Sequence, residues 1–286
     1  MSILIDEKTP VIVQGIIGKA GKQYTEVMKK FGTNIVAGVS PSADEQGKNE
    51  ILGVAVFKTV KEALDSYKDK SKKKVEWSIM FVLAESALKA ATAALNNNLN
   101  LVIATKGVPV HDIIKIINLA NEKKKIVIGP NCQGIICPGK SMLGTIPNNI
   151  CIRGNIGVIS RNEKLTCEIL TELKNSNIGV STAVEIGSDL VIGSDFLDIL
   201  NLFEKDNLSK AIVLIGNVDG EFEESAAEYI KGNIKKPVIA YFEGFDENEG
   251  QHKNKGVKSK IEAFKNAGVT VAKKPSSIVK FLKELK

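Results

Sequence analysis

The chain has 286 residues, a length that at about 150 residues per domain predicts two domains and can bury a sizeable core without staples. Hydrophobic residues make up 43% and charged residues 25%, the composition of an ordinary globular protein. With 39 Lys and Arg against 33 Asp and Glu the net charge is +6. That mild excess suits an anionic small ligand or an acidic partner and falls short of a nucleic-acid footprint. Aromatics at 5% also argue against base stacking. No stretch approaches about 18 consecutive apolar residues, which excludes a helical membrane span. The start, Met-Ser-Ile-Leu-Ile-Asp-Glu, has neither a signal nor a transit layout, so a cytoplasmic protein is expected. The cysteines are Cys132, Cys137, Cys151 and Cys167, and the histidines are His111 and His252. No Cys-x-x-Cys occurs, so the expectation is free thiols and no metal on this chain.

Short apolar runs alternate with helical stretches along the chain. Val11–Gln14 reads as a buried strand, followed by a glycine turn and a helix through Phe31. Strands follow at Asn34–Val39 and Val54–Phe57, and Thr59 stands where it can cap the next helix. Trp77–Leu83 reads as a strand, Glu85–Asn97 as an Ala-rich helix and Leu101–Thr105 as a strand. A helix runs from Pro109 to Lys123, with Asp112 in its first turn, and Ile126–Ile128 closes the first half. Punctuation then thickens. Gly129-Pro130-Asn131-Cys132-Gln133-Gly134, Pro138-Gly139 and Pro147 to Gly154 predict a long irregular connection, with a domain boundary at its start. Beyond it strands are expected at Ile156–Ser160, Val180–Glu185, Ala211–Ile215, Pro237–Tyr241 and Val269–Ala272. Helices are expected near Leu165–Lys174, Asp195–Phe203, Glu223–Lys231, Lys258–Ala267 and Ser276–Glu284. Such alternation predicts an α/β fold with a helix-covered parallel sheet, twice over, and ligands at the carboxyl ends of strands. Glu243 to Gly256, polar and Gly-bearing, reads as a surface loop.

Gly15-x-x-Gly18-x-x-Gly21 follows the first strand and opens a helix. Its glycines permit a tight turn and let a phosphate approach bare N–H groups at a positive helix end. The spacing is not Gly-x-Gly-x-x-Gly. The second strand ends Ala37-Gly38-Val39-Ser40-Pro41, with no carboxylate for a ribose diol. Both points disfavour an NAD-linked dehydrogenase and leave room for another nucleotide such as coenzyme A.

Several further motifs occur in order along the chain. They are Phe31-Gly32-Thr33-x-x-Val36-x-Gly38-Val39, Phe57-x-Thr59-Val60-x-Glu62-Ala63 and Pro109-Val110-His111-Asp112. Gly129-Pro130-Asn131-Cys132-x-Gly134 and Gly157-Val158-x-Ser160-Arg161 come next. Ile192-Gly193-Ser194-x-Phe196-x-Asp198-Ile199-Leu200 through Phe203-Glu204-Lys205-Asp206 completes the set. With Gln14-Gly15-x-x-Gly18, this pattern resembles the α subunit of succinyl-CoA synthetase (succinate–CoA ligase) over nearly the whole chain. The resemblance implies a Rossmann-like CoA-binding domain at residues 1–128 and a flavodoxin-like, doubly wound ligase domain at 129–286. It implies an enzyme of the tricarboxylic acid cycle that joins succinate to coenzyme A with ATP or GTP. A separate β-type subunit supplies the nucleotide. A histidine on the α subunit carries the phosphoryl group between two helix N-termini, one from each subunit.

Carried over position by position, the resemblance assigns coenzyme A to Gly15, Ile17, Gly18, Lys19, Ala20, Gly21, Pro41, Thr105 and Lys106, and the phosphohistidine to His252. The family pattern is altered at several of these positions. Ile17, Lys19 and Ala20 replace Thr, Ser and Gln, and Pro41-Ser42-Ala43 lacks the family lysine, for which Lys48 is a substitute. Lys106 replaces a glutamate. In the second half Glu163 replaces a glycine at a helix start meant for phosphate, and Cys167 replaces a tyrosine. Ser188 stands in a Gly-Gly-Asp motif, and Asn217 replaces the glutamate that orients the histidine. The loop Gly250-Gln251-His252-Lys253-Asn254-Lys255-Gly256 is shorter than the family's. His111 and Cys132 read as local structure. Two functions follow: an acid–CoA ligase subunit working through His252, or a paralogue with weakened chemistry that binds coenzyme A and docks a partner.

Overall fold

A computed structural model describes residues 2–43, 50–68, 73–242 and 255–285. The chain forms two sheets of seven strands each.

The first half opens with β1 (Val11–Gln14), a run of buried β-branched residues, and α1 (Lys19–Phe31). Gly32 ends α1 in the left-handed region, φ 105°, as a helix C-terminus favours. There follow β2 (Ile35–Val39), β3 (Glu50–Ile51), β4 (Val54–Phe57) and α2 (Val60–Lys68). Thr59 does cap α2: its Oγ1 accepts from Glu62 N at 3.2 Å. Next come β5 (Trp77–Met80), a 3-10 turn at Ala84–Ser86, α3 (Ala87–Asn96), β6 (Asn100–Ile103), α4 (Val110–Lys123) and β7 (Val127–Ile128). The strand order is β3-β4-β2-β1-β5-β6-β7. Apart from the antiparallel β3, this is the 3-2-1-4-5-6 order of a Rossmann sheet. The order reverses between β1 and β5.

The second half begins with β8 (Gly134–Cys137) and β9 (Ser141–Gly144), an antiparallel hairpin. The expected long irregular connection therefore contains two short strands. Gly and Pro mark the hairpin's turns, and Ile135, Ile136, Met142 and Leu143, alternating in direction, are buried on both of its faces. Then follow β10 (Arg153–Ser160), α5 (Glu163–Asn175), β11 (Val180–Glu185), α6 (Phe196–Lys205), β12 (Ala211–Gly216), α7 (Phe222–Asn233), β13 (Val238–Phe242), α8 (Lys255–Asn266), β14 (Thr270–Val271) and α9 (Pro275–Glu284). The parallel strands run β11-β10-β12-β13-β14, the 2-1-3-4-5 order of a flavodoxin-like sheet, and the hairpin extends the β11 edge. Here the reversal lies between β10 and β12. The fold is thus α/β with two mixed, mainly parallel sheets.

Two strands are shorter than their apolar runs suggest. β5 stops at Met80, where Phe81 begins the turn into the 3-10 segment, and β6 stops at Ile103, before Thr105. The two sheets share packing. Gly193 N donates to Gly129 O at 2.9 Å and Ser194 N to Val127 O at 2.7 Å, and one buried cluster runs from Val11 and Trp77 to Phe196 and Phe242.

Candidate functional site

Gly15, at the β1 end of the first reversal point, has φ +79°, and a Cβ there would meet Phe81 O at 2.5 Å. Gly21, one turn into α1, sits on this loop so closely that a Cβ would fall 2.1 Å from Gly15 O. These glycines let helix, strand and turn pack backbone to backbone. The N-terminus of α1 carries nothing of its own. Gly18 is the N-cap, no side chain caps the helix, and no acidic residue occupies its first turn. Its first N–H groups therefore keep their positive potential for an outside anion. Gly18, Lys19 and Ala20 are exposed and Ile17 is half-buried.

Beside this turn lies a cleft of about 280 Å³, walled by Val39, Val60, Val82 and Ala90, with Gln14, Pro41 and Thr59 also lining it. Lys58 and Lys89 belong to the same lining. The Gln14 amide is already engaged, donating to Ser78 Oγ at 3.0 Å and Ala90 O at 3.1 Å, which fixes α3 over the sheet. Gly15 and Pro41 thus meet at one cleft. Thr105 is buried, with Oγ1 donating to Val82 O at 2.9 Å.

Lys106 points elsewhere. Its Nζ lies 2.8 Å from Glu163 Oε2 on the other half of the molecule, and that hydrogen bond raises the Lys106 pKa. Glu163 begins α5. Asn162 caps the same helix, its side chain accepting from Leu165 N at 3.0 Å. The α5 N-terminus is thus occupied by its own acceptors, where that of α1 is open. A junction cleft of about 670 Å³ opens there, lined by Gln133, Asn162, Glu163, Lys164, Cys167 and Ser188.

Behind this cleft Glu185 ends β11. It is buried and accepts from Gln133 N and from Gly187 N, the latter at 3.1 Å. Burial pushes its pKa up to about 7 against those two hydrogen bonds. Asn131 reaches across from the connecting segment, its Nδ2 donating to Asp189 Oδ1 at 2.7 Å and Ser188 Oγ at 3.2 Å. The cysteines are free thiols. Cys132 donates to Ile103 O at 3.4 Å, and desolvation raises Cys137 to about 11 and Cys151 to about 12, which keeps them protonated. His111 is exposed beside Asp112, 3.2 Å away. His252 and Lys48 lie outside the described residues. Among the described residues no group of His, Cys, Asp and Glu is placed to hold a metal, and no helix is long and apolar enough to cross a membrane.

Glu185, Arg161, Glu223 and Lys260 are buried charges at the carboxyl edge of the second sheet to which the sequence assigns no role, Arg161 entering only as part of a family motif. A helical-periodicity signal did exist for two of them. Glu223 stands in register with the buried Ala226, Ala227 and Ile230, and Lys260 with Val257, Ile261 and Phe264.

Residues 6–107 match the CoA-binding domain family. The whole chain is 40% identical to the whole of the ADP-forming succinate–CoA ligase subunit alpha 2 of Archaeoglobus fulgidus. The chain belongs to the succinate–CoA ligase α-subunit family. It is also 40% identical to the malate–CoA ligase subunit alpha of Methylorubrum extorquens, over 97% of this chain and 96% of that one. Among solved structures, ATP citrate lyase from Methanothrix soehngenii, in complex with citrate and coenzyme A, matches with a TM-score of 0.77 at 25% identity, over 94% of this chain and 48% of that one. The dinucleotide-forming acetyl-coenzyme A synthetase 1 of Candidatus Korarchaeum cryptofilum shares the fold, with a TM-score of 0.71 at 19% identity, over 93% of this chain and 58% of that one. The chain thus spans about half the length of those two. The open turn at α1 lies within the residues that match the CoA-binding domain family.

Proposed function

We propose that the chain is the α subunit of a heteromeric acid–CoA ligase that forms succinyl-CoA from succinate, coenzyme A and ATP or GTP, with His252 as the phosphoryl carrier and a β-type subunit as partner. The observation that carries this reading is the uncapped, acid-free N-terminus of α1 at the β1/β5 reversal, in a chain alignable end to end with named ligase α subunits. Gly15 and Gly21 let the turn pack tightly on the strand and helix, the exposed Gly18 leaves the helix N–H groups open to a nucleotide phosphate, and Lys19 adds a cation beside it. Ile17 and Ala20 complete the turn, and Pro41 and Thr59 bound the cleft for the rest of the nucleotide.

The chemistry follows in three transfers. The His252 imidazole takes a phosphoryl group from the triphosphate held by the partner. The succinate carboxylate takes it from the imidazole. The coenzyme A thiol then displaces phosphate from the acyl phosphate. Lys106 lies between the two halves, where it partly neutralises Glu163 at the start of α5. Residues 1–128 bind coenzyme A and residues 129–286 carry the phosphoryl step, in a cytoplasmic enzyme of the tricarboxylic acid cycle.

One observation favours the second reading, a subunit that binds coenzyme A with weakened chemistry: Glu163 occupies the α5 N-terminus and would repel a phosphoryl group. Labelled ATP or GTP, added to the chain with and without a companion β subunit, separates the two. The ligase reading expects acid-labile phosphate that is absent from His252→Ala. No label under any condition contradicts it and leaves the CoA-binding reading.

A further inference from the structure

Open α/β sheets bind ligands where strand order reverses. At the reversal of the second sheet, between β10 and β12, the chain has filled the crevice with its own ions. Arg161 follows β10 and is 0% exposed, Glu223 on α7 is 0% and Lys260 on α8 is 1%. Arg161 Nη1 donates to Glu223 Oε1 at 3.2 Å, and Lys260 Nζ donates to Glu223 Oε2. Glu224 Oε2 stands 3.4 Å from the same ammonium as a fourth charge. Phe222 closes one side, its ring centroid 4.3 Å from the guanidinium carbon.

Four further hydrogen bonds of this cluster go to loop backbone, while the buried Arg161 Nε has no partner among the described residues. Arg161 Nη2 donates to Asp189 O at 2.9 Å and Nη1 to Asp219 O at 3.1 Å. Glu223 Oε1 accepts from Asn217 N at 2.9 Å, and Lys260 Nζ donates to Gly220 O at 2.6 Å. Asp189 in turn accepts from Asn131, so an unbroken line of contacts runs from α8 to the connecting segment beside the junction cleft. Buried ions are costly, and well-packed apolar side chains would hold a core as firmly. What the ions add is fixed direction: each hydrogen bond sets one backbone atom of a loop.

We infer that Lys260 is a positioning residue for phosphoryl transfer, acting through Glu223 and Arg161 to fix the Asn217 loop and the loop at Asp189, whose neighbour Ser188 lines the junction cleft. The inference rests on the ligase reading above. It places Lys260 outside the coenzyme A site, so its loss slows transfer without weakening coenzyme A.

The test is Lys260→Met in the chain co-purified with its companion subunit, beside wild type, assayed with ATP, succinate and coenzyme A. The expected result is a fall of at least tenfold in kcat and in the rate of acid-labile labelling, with KM for coenzyme A within twofold of wild type. A folded Lys260→Met with wild-type kcat overturns the inference. So does a fall in kcat matched by a rise in KM, the mark of general loosening. If Lys260→Met does not fold, Glu224→Gln, which leaves the three buried ions in place, decides: a two- to fivefold loss of kcat at constant KM supports the role, and an unchanged kcat overturns it. An inactive wild-type complex removes the ligase reading and the positioning role together, whereas an active wild type with an unaffected variant removes the positioning role alone.

Discussion

Glu185 shows how one buried side chain ties protonation to the architecture. Its carboxylate is out of water, held by two backbone N–H groups from the connecting segment and the loop after β11, yet desolvation outweighs them and lifts its pKa to about 7. In the unfolded chain a glutamate titrates near 4.3. Between those values the folded state holds a proton that the unfolded state has lost. The contribution of this group to stability is therefore fully present below about pH 4.5 and is lost as pH rises through 7, by on the order of 3 kcal/mol. Glu185→Gln, which keeps the shape and cannot ionise, should flatten that segment of the stability–pH curve. Urea melts of both proteins at pH 5 and pH 8 measure it, and parallel curves would contradict the assigned environment. The residue's type and its place at the end of Val180–Glu185 are plain in the sequence. Its burial is not, because it depends on Gln133 arriving from a segment about fifty positions away.

At the scale of elements, α1 and α5 differ at their N-termini. Both begin at a carboxyl edge beside a cleft, but α1 has a bare glycine cap and α5 has Asn162 and Glu163. An acidic first turn stabilises its own helix by about 0.3–1 kcal/mol and repels anions. Glu163→Gly in the assembled ligase should raise the rate of phosphate uptake several-fold while costing about 1 kcal/mol of stability. Quench-flow labelling and a denaturant melt check the two halves of that statement, and an unchanged or lower uptake rate contradicts the electrostatic argument. Most elements were legible because a buried strand such as Val11–Gln14 and a helix such as Val110–Lys123 carry their period in the sequence. The β8–β9 hairpin was not, since its Gly-Pro punctuation mimics a loop and its strands are only four residues each. Glu223 and Lys260 were missed because charge at a core-facing helical position reads as surface until the partner helix is placed opposite.

At the scale of the whole molecule, the two sheets differ at their reversal points. The first keeps its reversal point open around Gly15 and Gly21; the second closes its own with Arg161, Glu223 and Lys260. The glycine turn was legible from three spaced residues, whereas Lys106, assigned with that turn from the family pattern, instead reaches Glu163 across the junction. That pairing joins two distant stretches of sequence and is visible only once both sheets are packed. In the proposed function the first reversal point binds the nucleotide end of coenzyme A. Isothermal calorimetry of coenzyme A with wild type and with Gly21→Val tests it most directly. Saturable binding by wild type at one site per chain is predicted, with at least a tenfold loss in a folded Gly21→Val. Absence of heat with wild type, or equal affinity in the two proteins, would contradict it.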